Sequence, residues 1–121
     1  MTGKRGDGMD ELTAELRRFA EEREWEQFHS PKNLSMALGV EVAELAEHFQ
    51  WLSQEESRNL AGEEREEVAD EIGDVLIYLA RLSDILDIDP VDSALRKVEK
   101  NREKYPVEKS KGKANKYTRL T

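Results

Sequence analysis

Two acidic pairs carry the residues best able to do chemistry: Glu41-Val42-Ala43-Glu44 and Glu71-Ile72-Gly73-Asp74. On a helix, an i, i+3 spacing puts both carboxylates of a pair on one flank. If their two helices pack antiparallel through apolar stripes, the four acids converge in one groove beside the seam. Carboxylates gathered at low dielectric repel one another. Magnesium relieves that repulsion, since it takes oxygen ligands and keeps waters or substrate phosphates in its shell. Such a centre can bind a triphosphate, orient a water and offset charge developing on phosphoryl oxygens. A blander reading competes: with 27 acidic residues among 121, these spacings also arise by chance. Glu21, Glu24, Glu64 and Glu67 give further matches, which fall on solvated faces. What distinguishes the two motifs is that both border an apolar stripe. A di-iron carboxylate bundle is a poor match, because it needs Glu-x-x-His on two helices. His48 follows Glu44 by four residues and Glu47 by one.

The elements that must position these acids read as helices. A first helix is expected from near Asp10, with Leu12, Leu16, Phe19 and Arg23 at helical spacing. Trp25-Glu26-Gln27-Phe28-His29 breaks that period and reads as an aromatic connector. Ser30-Pro31 is a cap followed by a first-turn proline, and it opens a second helix running to about Leu52. The apolar face of that helix is Leu34, Leu38, Val42, Leu45, Phe49 and Leu52. Residues Ser53 to Gly62 read as a loop with room for a short helical turn. A third helix starts near Glu63, where acids suit the positive end of the helix dipole. It has one apolar face (Val68, Ile72, Val75, Leu79, Leu82, Leu86) and a second (Ala69, Gly73, Leu76, Ile77, Ala80). Two apolar faces need two covers, which points to a partner subunit. Asp89-Pro90 repeats the cap-and-proline signal for a fourth helix, through about Lys104, and Pro106 ends it. The expectation is an all-α, four-to-five-helix bundle, oligomeric, over residues 10–106. A disordered arm (1–9) precedes it and a basic tail (107–121) follows.

Composition narrows the function classes. A net charge of -8 argues against nucleic acid as the partner, and it means that phosphates can be held only with cations between. Without cysteine there is no disulfide, no thiolate metal site and no cysteine nucleophile. No apolar run reaches the ~20 residues of a membrane span and no leader pattern opens the chain, so a soluble cytoplasmic protein is expected. Lys97 and Asn101 stand one helical turn apart, so a cation and an amide project together. Trp25 and Trp51 can anchor a core or stack on a flat base. His29, just before a helix cap, can be a surface side chain.

The same residues resemble a known family. Glu41-x-x-Glu44 with Glu71-x-x-Asp74 is similar to the metal-binding signature of the MazG-like all-α nucleoside triphosphate pyrophosphohydrolases. Trp25-Glu26-Gln27-Phe28-His29, Phe49-Gln50-Trp51, Asp74-Val75-Leu76-Ile77-Tyr78-Leu79, Lys100-Asn101-Arg102 with Tyr105-Pro106, and Lys116-Tyr117-Thr118 extend the likeness. Over about residues 10–120 they resemble its dCTP pyrophosphatase branch. The resemblance implies hydrolysis between the α- and β-phosphates with release of pyrophosphate, and Mg2+ held by Glu41, Glu44, Glu71 and Asp74, among which the catalytic base would lie. It implies substrate contacts from Trp25 and Trp51 around the base, Tyr78 near the metal, Lys97 and Asn101 on the phosphates, and His29 and Tyr105 near the pocket. It also implies a homo-oligomer, a tetramer as a dimer of dimers or a dimer, cleansing the nucleotide pool of dCTP or a modified dCTP. Leu16 departs from relatives that place a polar residue near that turn. Two alternatives are weighed beside this reading: a broader nucleoside triphosphate or dUTP pyrophosphohydrolase, and a non-catalytic helical module that binds partners.

Overall fold

The structure is a computed structural model that describes residues 7–114. All its regular elements among those residues are helical: α1 (Asp7–Glu22), a 3-10 turn (Glu26–Phe28), α2 (Pro31–Glu47), α3 (Gln54–Ser57), α4 (Gly62–Ile85), α5 (Pro90–Lys104) and α6 (Val107–Ser110). The chain divides into two compact units, Met1–Ile88 and Asp89–Thr121, where the sequence suggested one domain over 10–106. None of the described helices is long and apolar enough to cross a membrane.

In the first unit, α4 packs against both α2 and α1. Pairings along the seam run in opposite directions: His48 of α2's C-terminus lies 3.9 Å from Glu67 early in α4, and His29, just before α2, meets Arg81 late in α4. The α2 and α4 helices are therefore antiparallel. The inward line of α2 is Leu34, Leu38, Glu41 and Leu45; that of α4 is Val68, Glu71, Val75, Tyr78 and Leu82. Glu41 and Glu71 thus occupy positions in the packed stripe itself rather than beside it. Of the apolar faces expected, Val42 (47% exposed), Ile72 (53%) and Leu86 (47%) turn outward instead, because the inward lines follow the acids.

The helix ends explain the remaining differences. The Ser30 hydroxyl accepts from the Asn33 backbone at 3.1 Å, with Pro31 in the first turn, so α2 starts where its cap predicts. It stops at Glu47, earlier than the expected Leu52, as the chain tightens into turns whose amides return to Ala46 and Phe49. Ser53 and Glu56 then form a reciprocal capping box that starts α3 inside the expected loop. Both α1 and α4 end in the same motif. Trp25 N–H reaches Ala20 O (2.9 Å) and Glu24 N–H reaches Glu21 O (3.1 Å), with Glu24 left-handed at φ 55°. Ile88 and Asp87 repeat this on Ser83 and Asp84, with Asp87 at φ 56°. These are Schellman closures with an acidic residue where glycine is usual.

In the second unit, Asp89 caps α5 by accepting from Val91 and Asp92 at 3.0 Å, and Pro90 follows it. Helix α1 already includes residues 7–9, so that part of the expected arm is helical; 107–110 of the expected tail form α6. Residues 1–6 of the arm and 115–121 of the tail lie outside the described residues.

Candidate metal centre and base cavity

Helix packing brings three of the four sequence-singled acids together. Glu41, Glu44 and Glu71 each offer a carboxylate oxygen, and the three oxygens lie within 4.8 Å of one another. One oxygen of Glu41 and one of Glu71 are shielded from solvent without accepting any hydrogen bond. Buried acceptors of that kind are rare in folded proteins, and each calls for a proton or an ion. The Glu41 carboxyl responds by binding its proton more tightly. Burial, the adjoining carboxyls of Glu71 and Glu44, and the charges of Glu44 and Asp74 push it up to about 7. Such crowding is what a cation held among these carboxylates would relieve. The oxygens, their crowding and their lack of donors all suit a hard divalent ion. Asp74 falls outside that triplet and lies where the carboxylates give way to a cavity.

That cavity, about 320 Å³, is lined by Glu41 and Asp74 on one side and by Trp25, His29, Phe19, Tyr78 and Arg81 among its other walls. It falls within the size range of small-molecule sites. The aromatic wall is built by the connector between α1 and α2. The left-handed turn at Glu24 swings Trp25 back over Phe19, edge to face at 5.6 Å, and His29 follows at 6.5 Å. The amide of Asn33 donates to Phe28 O at 3.1 Å, which fixes the connector onto the start of α2. Tyr78 stands one turn after Asp74 on α4, so acid and phenol face the same space. Leu16, the departure noted in the sequence, lies on the cavity wall.

The other expected ligands are placed differently. Trp51 is 86% exposed and does not line the cavity. Lys97 and Asn101 are exposed on α5, one turn apart, and Tyr105 caps that helix, donating from its backbone to Asn101 O at 2.8 Å. All three belong to the second unit.

A sequence profile described as the MazG-like family matches residues 36–120. This chain belongs to the MazG-like family. Among similar proteins, dCTP pyrophosphatase 1 of Bos taurus is 49% identical over 104 residues, 84% of this chain and 62% of that protein. The Homo sapiens dCTP pyrophosphatase 1 is 43% identical over 104 residues, 84% of this chain and 61% of that protein. The chain therefore spans less than two thirds of the length of these relatives. A crystal structure of a pyrophosphatase from Archaeoglobus fulgidus matches with a TM-score of 0.78 at 43% identity, covering 88% of this chain and 99% of that one.

Sequence reasoning about this MazG-like chain missed Arg81. Its side chain is 6% exposed, yet it lines the cavity and donates from Nε to His29 Nδ1 at 3.1 Å. Arg81 and Asp84 sit three apart, the spacing of an ordinary surface ion pair, and nothing local marks them as buried. The one available signal was that an arginine stood on the line continuing Asp74 and Tyr78 up α4.

Proposed function

We propose that this protein is a magnesium-dependent nucleoside triphosphate pyrophosphohydrolase that cleaves dCTP, or a modified dCTP, to the monophosphate and pyrophosphate. The observation that carries the reading is the junction of donor-free carboxylates with an aromatic-walled cavity, Glu41 belonging to both. Relatives called dCTP pyrophosphatase 1 and pyrophosphatase support the substrate and the reaction.

In this reading Glu41, Glu44 and Glu71, with Asp74 at the cavity's edge, hold magnesium. When bound there, the ion would supply the positive charge that the acids lack, toward phosphates and a pyrophosphate leaving group. A carboxylate of this group orients a water in line with the α-phosphorus and takes its proton. The P–O bond to the β-phosphate breaks as the new P–O bond forms. Trp25 stacks on the base, with His29 and Tyr78 beside it, and the apolar cavity keeps bulk water from the reacting face. Lys97 and Asn101 are the proposed phosphate ligands; their support is a cation and an amide one turn apart on α5. Trp51 and Tyr105 complete the proposed substrate set.

The active form in this proposal is a homo-oligomer, a dimer or a tetramer made of dimers. The support is apolar side chains that a lone chain leaves bare, among them Met36 (63% exposed), Val40 (57%) and Ile72 (53%). Clearance of the cytoplasmic nucleotide pool is the corresponding role. Pyrophosphate release measured over the common ribo- and deoxynucleoside triphosphates, with magnesium and with chelator, tests the proposal. Magnesium-dependent release led by dCTP is expected. Equal release from dUTP and purine nucleotides would replace dCTP preference with broad hydrolysis, and no release from any of them would overturn the reaction.

A further inference from the structure

We infer that Arg81 is a positioning residue that holds His29 as the neutral Nε2–H tautomer, so that His29 meets the base as a hydrogen-bond donor to a ring-nitrogen or carbonyl acceptor. The inference rests on the reading of the cavity as a base site and names the edge of the base that it takes. Arginine has donors and no acceptor. An Arg81 Nε–H directed at His29 Nδ1 over 3.1 Å therefore requires a lone pair on Nδ1, and a neutral ring must then carry its hydrogen on Nε2. Burial of the ring and the adjacent guanidinium both hold His29 below its ordinary pKa, against a smaller opposing pull from Glu26. Charge therefore does not undo the assignment.

Arg81 is itself held in place. Its Nη1 lies 3.4 Å from Asp84 Oδ2. Arg17 of α1 grips the same carboxylate through Nε (2.8 Å) and Nη2 (2.5 Å). A line Arg17–Asp84–Arg81–His29 thus runs from α1 across α4 to the cavity wall. Its two arginines differ in exposure: the Arg17 side chain is 61% exposed and that of Arg81 is 6%. Asp84 offsets the buried charge, which leaves the Nε–H contact with a neutral imidazole to be explained. Positioning a ring whose other nitrogen meets ligand accounts for it.

The test combines nitrogen-detected NMR of the two histidines with binding of dCMP and of pyrophosphate to the full chain. His48→Gln assigns the His29 signals, since the chain has only two histidines. The expected wild-type spectrum is a single Nε2–H tautomer, and Arg81→Leu gives the averaged shifts of an unconstrained ring. Loss of that one hydrogen bond weakens dCMP binding about tenfold, leaving magnesium pyrophosphate binding unchanged. His29→Leu shows the same loss and His29→Gln, which keeps an N–H donor, recovers most of it. A wild-type Nδ1–H tautomer or imidazolium at neutral pH overturns the inference, even if Arg81→Leu fails to fold. Unchanged tautomer and dCMP affinity in Arg81→Leu overturns it as well. A wild-type protein with the Nε2–H tautomer that binds no dCMP refutes the base-site reading and its donor role, leaving the Arg81–His29 contact as structure only.

Discussion

Glu41 and Glu71 meet across the α2–α4 seam, each with one oxygen shut away from water and from every hydrogen-bond donor. Two packed helices would ordinarily place leucines at such positions. Two carboxylates placed so are mutually unfavourable, and a cation between them would offset that cost.

That cost makes the stability of the metal-free protein depend on pH in a defined direction. The Glu41 carboxyl in the folded chain holds its proton to about 7, above its ordinary 4.5. Between those values the folded state binds more protons than the unfolded one, so stability falls as pH rises through the window. Urea midpoints measured in chelator are expected to fall from pH 5 to pH 7.5. Glu41→Gln should flatten that slope, and millimolar magnesium should reverse it by binding the folded state alone. A midpoint independent of pH in chelator would show that the seam tolerates the naked charge.

Asp84 predicts the opposite limb. The hydrogen bond from Arg17, outweighing burial, holds its carboxyl below the ordinary carboxylate value. The stability that it contributes is present above that value and is lost as pH falls through the lowered one. Asp84→Ala leaves the buried Arg81 without its charge partner and is expected to cost about 2 kcal/mol, more than Arg17→Ala at an exposed position. Chemical denaturation of the two variants at pH 7 checks the ranking, and equal losses would contradict it.

Much of the fold was legible because its punctuation is local. Ser30-Pro31 and Asp89-Pro90 start α2 and α5 where capping chemistry places them. The convergence of Glu41, Glu44 and Glu71 followed from helical spacing once antiparallel packing was assumed. The exact inward face was not legible, since hydrophobicity pointed to Val42 and Ile72 where the structure turns Glu41 and Glu71 inward. Acids packed inward invert the rule used to find the core. Arg81 was hidden for the same reason: burial of a charged residue is a property of the packed structure, not of its neighbours in sequence.

The Schellman turn at Glu24 offers a test of how the aromatic wall is set. A residue with a Cβ in the left-handed region is strained, and glycine is not. Glu24→Gly should therefore stabilise the chain by about 1 kcal/mol in urea denaturation and leave the Trp25–Phe19 contact in place. Loss of stability would mean that the glutamate side chain, rather than the backbone turn, holds the connector.

Removing the charge of the proposed metal ligands while keeping shape separates chemistry from folding. Glu71→Gln and Asp74→Asn are expected to lower pyrophosphate release about a hundredfold or more, with helical circular dichroism unchanged. Full turnover in either variant would remove that residue from the catalytic group.

Calorimetry with a non-hydrolysable dCTP analogue, titrated into the protein with and without magnesium, asks whether the acid cluster holds a triphosphate through a cation. Binding is expected to require magnesium and to disappear in a Glu41→Gln, Glu71→Gln double variant that remains helical. Equal binding without magnesium, or unimpaired magnesium-dependent binding in the double variant, would contradict it.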